Sequence, residues 1–400
     1  MSGTVRTKSK GESRNVALTA LRVSGRVLVE RVMRPMARSL EDVPCSPYAI
    51  TPEWLTAALC AKTPSAIVTG VIVEQASAGT HERHRLRVSY NEAGQLAGLP
   101  ASIFTKSLPS IVTRMVAGFN GHARIEGRFY SEVRPLLEIE APICYYSTYD
   151  RQTFAAIHLL EDLVATKSAI FCGHKTYVSR AMAEDMIDLL AALHGRFYGK
   201  VAATEQFRWL ADYPSWFRIG AKKMRTEHYT GKAFDAAADI IPPRLMARRR
   251  EVWPATMRAL VVHEREPGAF LHSDVHIGNW YQTGAGRMGL CDWQCPSRGH
   301  WSRDFAYAVS AALLPEDRRN WERDLLTRYL ERLKAICGAK PDFDTSFTHY
   351  RQQLSHALAM WTITLCHSPL LPSMQSKAMT LAMIERMAIA MDDLDTLDSV

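Results

Sequence analysis

The sequence predicts an α+β fold in two parts, a small antiparallel sheet followed by a mainly helical body. Three observations point there. Residues 68–74, 85–90 and 101–106 read as strands, the first two joined by a turn over Ser77-Ala-Gly-Thr80. From Ser179 to Phe197, Met182, Met186, Leu190 and Leu193 recur at steps of four and three, the period of a buried helix face. Beyond residue 300 the chain again reads as helices, with Pro/Ser-containing breaks around 367–373. The 400 residues are enough for two packed units with sizeable cores.

Taken in order, the chain opens on a basic arm. Residues 1–40 hold nine Lys/Arg against two acids, so nearly all of the net charge of +8 sits there. The remaining 360 residues are close to neutral, which excludes a general nucleic-acid binder. From Asn15 to Leu40, apolar residues interleave with arginines, as in a basic amphipathic helix. That pattern suits weak contact with an anionic membrane surface or a targeting segment; it equally suits an extension, or a helix lying on the body. No apolar run reaches the roughly 18 residues of a transmembrane span. Eight scattered cysteines without a Cys-x-x-Cys pair point to a reducing, cytoplasmic compartment.

Thr51-Pro-Glu-Trp-Leu opens a short helix, with Thr51 as cap and Pro52 in the first turn. The third strand, 101–106, ends in Lys106, and Ala123 to Glu132 is helical in pattern. Thr153 to Leu160 is an apolar strand-like run followed by Glu161-Asp162-Leu163. These elements divide the chain into a basic extension (1–45), a sheet-bearing part (46–163) and a helical part (164–400).

The densest chemistry lies at 271–294. Asp274 and Asn279 are five apart, and Asp292 follows after an expected hairpin: Trp280 to Gln282, a turn over Thr283–Gly286, then Arg287 to Cys291. A hydroxyl attacking a γ-phosphate needs an acceptor for its proton, which Asp274 supplies. Magnesium ions bridging phosphates need hard oxygen ligands, which Asn279 and Asp292 supply. His272, Asp274 and His276 alternate and so also read as transition-metal ligands on one strand face. That reading lacks a further partner at zinc-site spacing and leaves Asn279 and Asp292 unexplained.

Protein kinases carry a catalytic Asp, an Asn five later and a second Asp in this order. Here the motifs are His-x-Asp and Asp-Trp-Gln. This combination resembles the aminoglycoside phosphotransferase and choline kinase superfamily, and within it looks nearest to the ecdysteroid-kinase-like small-molecule kinases. The resemblance spans roughly 50–390, and is sharpest at 271–294. It implies a two-lobed protein-kinase-like fold that binds ATP and Mg²⁺ and phosphorylates a small-molecule alcohol.

By the same resemblance, Lys106 meets the α- and β-phosphates and Glu126 holds it, with Glu132 as second choice. Gly79 and Thr80 lie in the phosphate-covering turn, which keeps only one glycine of the kinase pattern. Glu161 and Leu163 offer backbone groups to the adenine edge. His272 braces the catalytic loop, and Asp304 accepts hydrogen bonds from its backbone. The alternative is a kinase-like pseudoenzyme or adaptor, whose mark would be a missing lysine, base or metal ligand. A protein kinase is disfavoured by the absence of Asp-Phe-Gly and Ala-Pro-Glu. Residues 200–265 carry thirteen Lys/Arg and seven Asp/Glu, together with Trp209, Tyr213, Trp216, Phe217, Tyr229 and Trp253. As acceptor-site groups they favour a neutral, apolar or anionic alcohol over a polycationic aminoglycoside; the competing expectation is that the aromatics are core.

Overall fold

The computed structural model describes residues 4–77, 82–108, 110–368 and 374–400. The chain divides into two compact units, Met1–Arg134 with Pro142–Thr166, and Pro135–Ala141 with Lys167–Val400. No helix among the described residues is long and apolar enough to cross a membrane.

The first unit is built on an antiparallel sheet of five strands, β1 (Val68–Ser77), β2 (Glu82–Tyr90), β3 (Ser102–Ser107), β4 (Cys144–Tyr149) and β5 (Ala156–Glu161), in the order β1-β2-β3-β5-β4. Its apolar face buries Leu86, Ile103, Ile157 and Leu159 against Trp54 and Leu55. Those two belong to helix Pro52–Leu59, whose start is fixed by Thr51: the hydroxyl accepts from the Trp54 N–H at 3.2 Å. The basic arm forms helix α1 (Thr4–Met33). Val23 and Val27 are buried, and Glu30 accepts a two-armed hydrogen bond from the buried Arg114 guanidinium at 3.2 and 2.6 Å. The arm is therefore a docked helix, not a loose extension. Strand β5 begins at Ala156, later than the apolar run beginning at Thr153 suggests. Asp150 accepts hydrogen bonds from the Gln152 N–H and the Thr153 hydroxyl, and Phe154 turns left-handed (φ 58°) before the strand starts.

The second unit is mainly helical. Its long helices are Arg180–Arg196, Pro315–Cys337, Phe343–Leu365 and Lys377–Asp393, and the wholly buried helix Ser302–Ala312 runs among them. Two small three-stranded sheets complete it. In one, β7 (Ala211–Asp212) and β8 (Ala269–Leu271) flank β11 (Ser297–Gly299); in the other, β6 (Ile170–Phe171) lies beside β9 of the hairpin β9 (Trp280–Gln282) and β10 (Met288–Leu290). The hairpin pairs Trp280 with Leu290 and Gln282 with Met288, and Gly286 (φ 82°) takes the left-handed corner of the turn. Four of the aromatics of 200–265 sit in or against one core cluster, while Trp209 and Tyr229 are only partly buried. Tyr213 and Phe217 are buried in one cluster with Leu260, and Trp216 and Trp253 pack against it. These four side chains are engaged in packing.

Candidate active site

In the first unit the sheet delivers Lys106, and the helix His122–Arg128 delivers Glu126. Lys106 Nζ lies 2.7 and 2.9 Å from the two Glu126 carboxylate oxygens, and both side chains are buried. Such a pair adds little to stability and much to position: one ammonium is held at one place on the sheet. Glu132 turns instead to Arg128, at 2.6 and 2.9 Å, on a more open face. His158 faces Lys106 across the β3–β5 register. Burial, reinforced by the Lys106 charge, holds the His158 pKa down to about 3, so the ring adds no second positive charge. Close approach of helix and sheet needs Gly127. A Cβ there would lie 2.6 Å from Ser147 Oγ, which is itself held by His158 Nδ1 at 2.8 Å.

The turn carrying Gly79 and Thr80 lies outside the described residues. At the end of β5, side chains fasten the backbone. The Glu161 N–H donates to the Ile143 carbonyl at 2.7 Å, and its carboxylate accepts from the Ile143 N–H at 3.1 Å and the Thr166 hydroxyl at 2.8 Å. Asp162 accepts from Arg85 and Ser102, each at 2.6 Å. Burial raises its pKa, but these hydrogen bonds and the Arg85 charge outweigh burial and hold it below the usual carboxylate range. Leu163 opens a short helix, where first-turn N–H groups have no intrahelical acceptor; its amide remains a donor for a ligand.

In the second unit β8 runs into the loop bearing His272 and Asp274, and a 3₁₀ turn, Ile277–Asn279, leads into the hairpin. Asp304, fully buried near the start of its helix, organises this loop. Its carboxylate accepts the His272 N–H at 2.7 Å and the Ser273 N–H at 3.1 Å. Burial opposes its ionisation, but the contact with His194 (3.5 Å) and the charge of the buried Arg303 (3.3 Å) prevail, and its pKa stays below the usual range. His194 reaches Tyr329 with its other nitrogen at 2.8 Å, the satisfied role expected of a core histidine.

His272 is the second brace. Burial depresses its pKa against the opposing pull of Asp304 and Asp274, so it is neutral near pH 7. Nδ1 accepts the Asp274 N–H at 3.2 Å, which leaves the proton on Nε2, donated to the Cys291 carbonyl at 3.0 Å. One imidazole thus ties the backbone of Asp274 to the residue preceding Asp292. The Cys291 N–H returns a bond to the Asn279 carbonyl at 2.9 Å. The three oxygen-bearing residues Asp274, Asn279 and Asp292 are therefore brought together by the loop backbones. With both His272 nitrogens engaged, the alternating His-Asp-His set is no ligand group. Among the described residues no cluster of three or more His, Cys, Asp or Glu is arranged to hold a metal.

The Asp274 carboxylate remains partly open. It accepts the Tyr307 hydroxyl at 3.2 Å on one oxygen and the Asn279 Nδ2 at 3.3 Å on the other. Asn279 Nδ2 also donates to the Asp274 carbonyl at 2.7 Å, which turns its carboxamide oxygen the other way, free for a cation. Asp292 and Ser273 both adopt left-handed backbone, φ 66° and 68°. Asp tolerates that region better than most residues, and strain of this kind gathers at functional loops. A hard carboxylate and a hard carboxamide oxygen fit Mg²⁺ in donor chemistry. Tyr307 went unnoticed in the sequence, although it lies three residues after Asp304, on the same helical face.

The chain thus holds a small antiparallel-sheet unit with a buried Lys–Glu pair and a helical unit with a braced Asp-Asn-Asp loop system. The sequence profile of the phosphotransferase enzyme family (APH) matches residues 133–341, just over half of the chain. The chain belongs to that family. Solved structures similar to it include a choline kinase of Streptococcus pneumoniae (11% identity, 85% of this chain and 98% of that chain, TM-score 0.45). Others are a macrolide 2'-phosphotransferase of Brachybacterium faecium (16%, 77% and 91%, 0.43) and an ethanolamine kinase of Plasmodium vivax (11%, 81% and 81%, 0.43). No curated protein sequence matches the chain.

Proposed function

We propose that the protein transfers the γ-phosphate of ATP to a hydroxyl group of a small-molecule alcohol, with Mg²⁺ as cofactor. The observation that carries this reading is the His272 bridge, which links the Asp274 backbone to the loop of Asp292 while Asp304 anchors the same loop from below.

Asp274 orients the acceptor hydroxyl and takes its proton as the new oxygen–phosphorus bond forms and the bond to the β–γ bridging oxygen breaks. Tyr307 and Asn279 hold the carboxylate in place for that transfer. Asn279 and Asp292 hold Mg²⁺, which when bound offsets the phosphate charge. Lys106, steered by Glu126, neutralises the non-transferred phosphates, and the Leu163 amide receives the base edge. Positioning and electrostatics supply most of the catalysis.

The test is ADP release with Mg²⁺-ATP against a panel of alcohols: an aminoglycoside, choline, a macrolide, a sterol and a hydroxyacyl thioester. At least one acceptor is expected to raise ADP release well above the acceptor-free rate. In Asp274→Asn that increment falls by at least about 100-fold while ATP affinity is retained. Full activity in this variant contradicts the base assignment.

A further inference from the structure

Helix α1 has two apolar sides, and unit one uses only one of them. Val23, Val27 and Glu30 face the body. On the other side Leu18, Leu21, Leu28, Val32 and Met33 are 58–72% exposed. At 100° per residue these five fall within one arc of the helix, and Gly25 lies in the same arc. A Cβ added at Gly25 would meet nothing within 4 Å, so the face is open there too. Five large apolar side chains standing together in water mark an interaction surface.

The charges around the stripe say what covers it. Arg22, Arg31, Arg34 and Arg38 are all exposed, and Arg6, Lys8, Lys10 and Arg14 precede them in the sequence. The two acids of the segment do not balance them: Glu30 is spent on Arg26 and Arg114, leaving only Glu12. A cavity of about 680 Å³ adjoins the C-terminal end of the helix, its lining including Val27, Arg31, Arg34, Met36 and Tyr48 together with Glu30, whose carboxylate is bound to Arg114.

We infer that the outer face of α1 docks on an anionic phospholipid bilayer, apolar side chains in the headgroup–acyl boundary and arginines on the lipid phosphates. A second copy of the chain is a poorer occupant, because pairing two such faces brings two strongly basic segments together. A protein groove that engulfs a helix is also a poorer fit, since one side of α1 is already packed. A planar anionic surface needs only the side that is free.

The test is co-sedimentation of the full chain with phosphatidylcholine vesicles, with and without phosphatidylserine. Binding is expected to the mixed vesicles only, and to weaken as salt rises from about 0.1 to 1 M, where screening shortens from about 10 to 3 Å. The triple variant Leu21→Glu, Leu28→Glu, Val32→Glu changes only exposed positions and is expected to lose more than about tenfold in vesicle affinity. Failure of the wild-type chain to bind mixed vesicles overturns the inference, as does equal binding to neutral ones or unchanged binding by the triple variant. A concentration-dependent dimer in sedimentation velocity, abolished by the same variant, would assign the face to a second copy and also overturn it.

Discussion

At the scale of single residues, Asp304 and His272 carry the site without touching a substrate. Asp304 is a buried carboxylate facing Arg303 and two backbone donors, so truncation leaves a buried guanidinium and two N–H groups unmatched. Asp304→Ala is expected to destabilise the protein by about 3–5 kcal/mol in denaturant titrations; a loss below about 1 kcal/mol would contradict the bracing role. Tyr307→Phe removes one hydrogen bond to Asp274 and is expected to lower kcat several-fold while leaving the KM for ATP unchanged. The contact between Asp274 and Asn279 was legible in the sequence because the two lie five residues apart on one loop. Tyr307, Arg303 and the His194–Tyr329 contact were not. Asp304 meets His194 across 110 residues, and no local pattern encodes that distance. The choice of Glu126 over Glu132 likewise depended on how the helix is rotated against the sheet.

At the scale of elements, the approach of helix His122–Arg128 to the sheet sets the Lys106–Glu126 pair. Gly127→Ala would drive a methyl group to 2.6 Å from Ser147 Oγ, and His158 keeps that hydroxyl from swinging aside. The variant is expected to lose about 1–3 kcal/mol of stability and to weaken nucleotide binding as Glu126 is displaced. Adding Ser147→Ala leaves only ordinary contacts, 3.5 Å to His158 Cε1 and 3.7 Å to the residue-147 Cβ, so the double variant should recover much of the loss. Additive losses, measured by thermal melts of all four proteins, would show that the two groups do not collide. Strands β1 to β3 and the hairpin were readable because alternation and turn chemistry are local signals, whereas β4 (Cys144–Tyr149) was not read. Aromatics in 200–265 were ambiguous for the opposite reason: composition is the same for a binding wall and for a core, and packing around Tyr213 and Phe217 decides it.

At the scale of the molecule, buried neutral histidines make stability depend on acid. Burial lowers the pKa of His158 to about 3 and of His263 to about 4, and also lowers His272, His300 and His356. An unfolded histidine titrates near about 6.5. Below that pH the unfolded chain takes up protons that the folded chain refuses, so this stability is complete above about pH 6.5 and is lost as pH falls toward 4. Melting temperature is therefore expected to drop between pH 7.5 and pH 5. Four of the five histidines lie in the second unit, so its transition should move further than that of the first. A melting profile flat across this range would contradict neutral burial. The phosphotransfer reading itself is tested most directly by one coupled measurement, phosphorus NMR of the acceptor found by the alcohol panel, incubated with Mg²⁺-ATP and either wild-type protein or Asp274→Asn. The account predicts a new phosphomonoester signal growing in step with ADP for the wild type and none for the variant. An acceptor phosphorylated equally by both proteins, or ADP formed by the wild type without any phosphorylated alcohol, would contradict it.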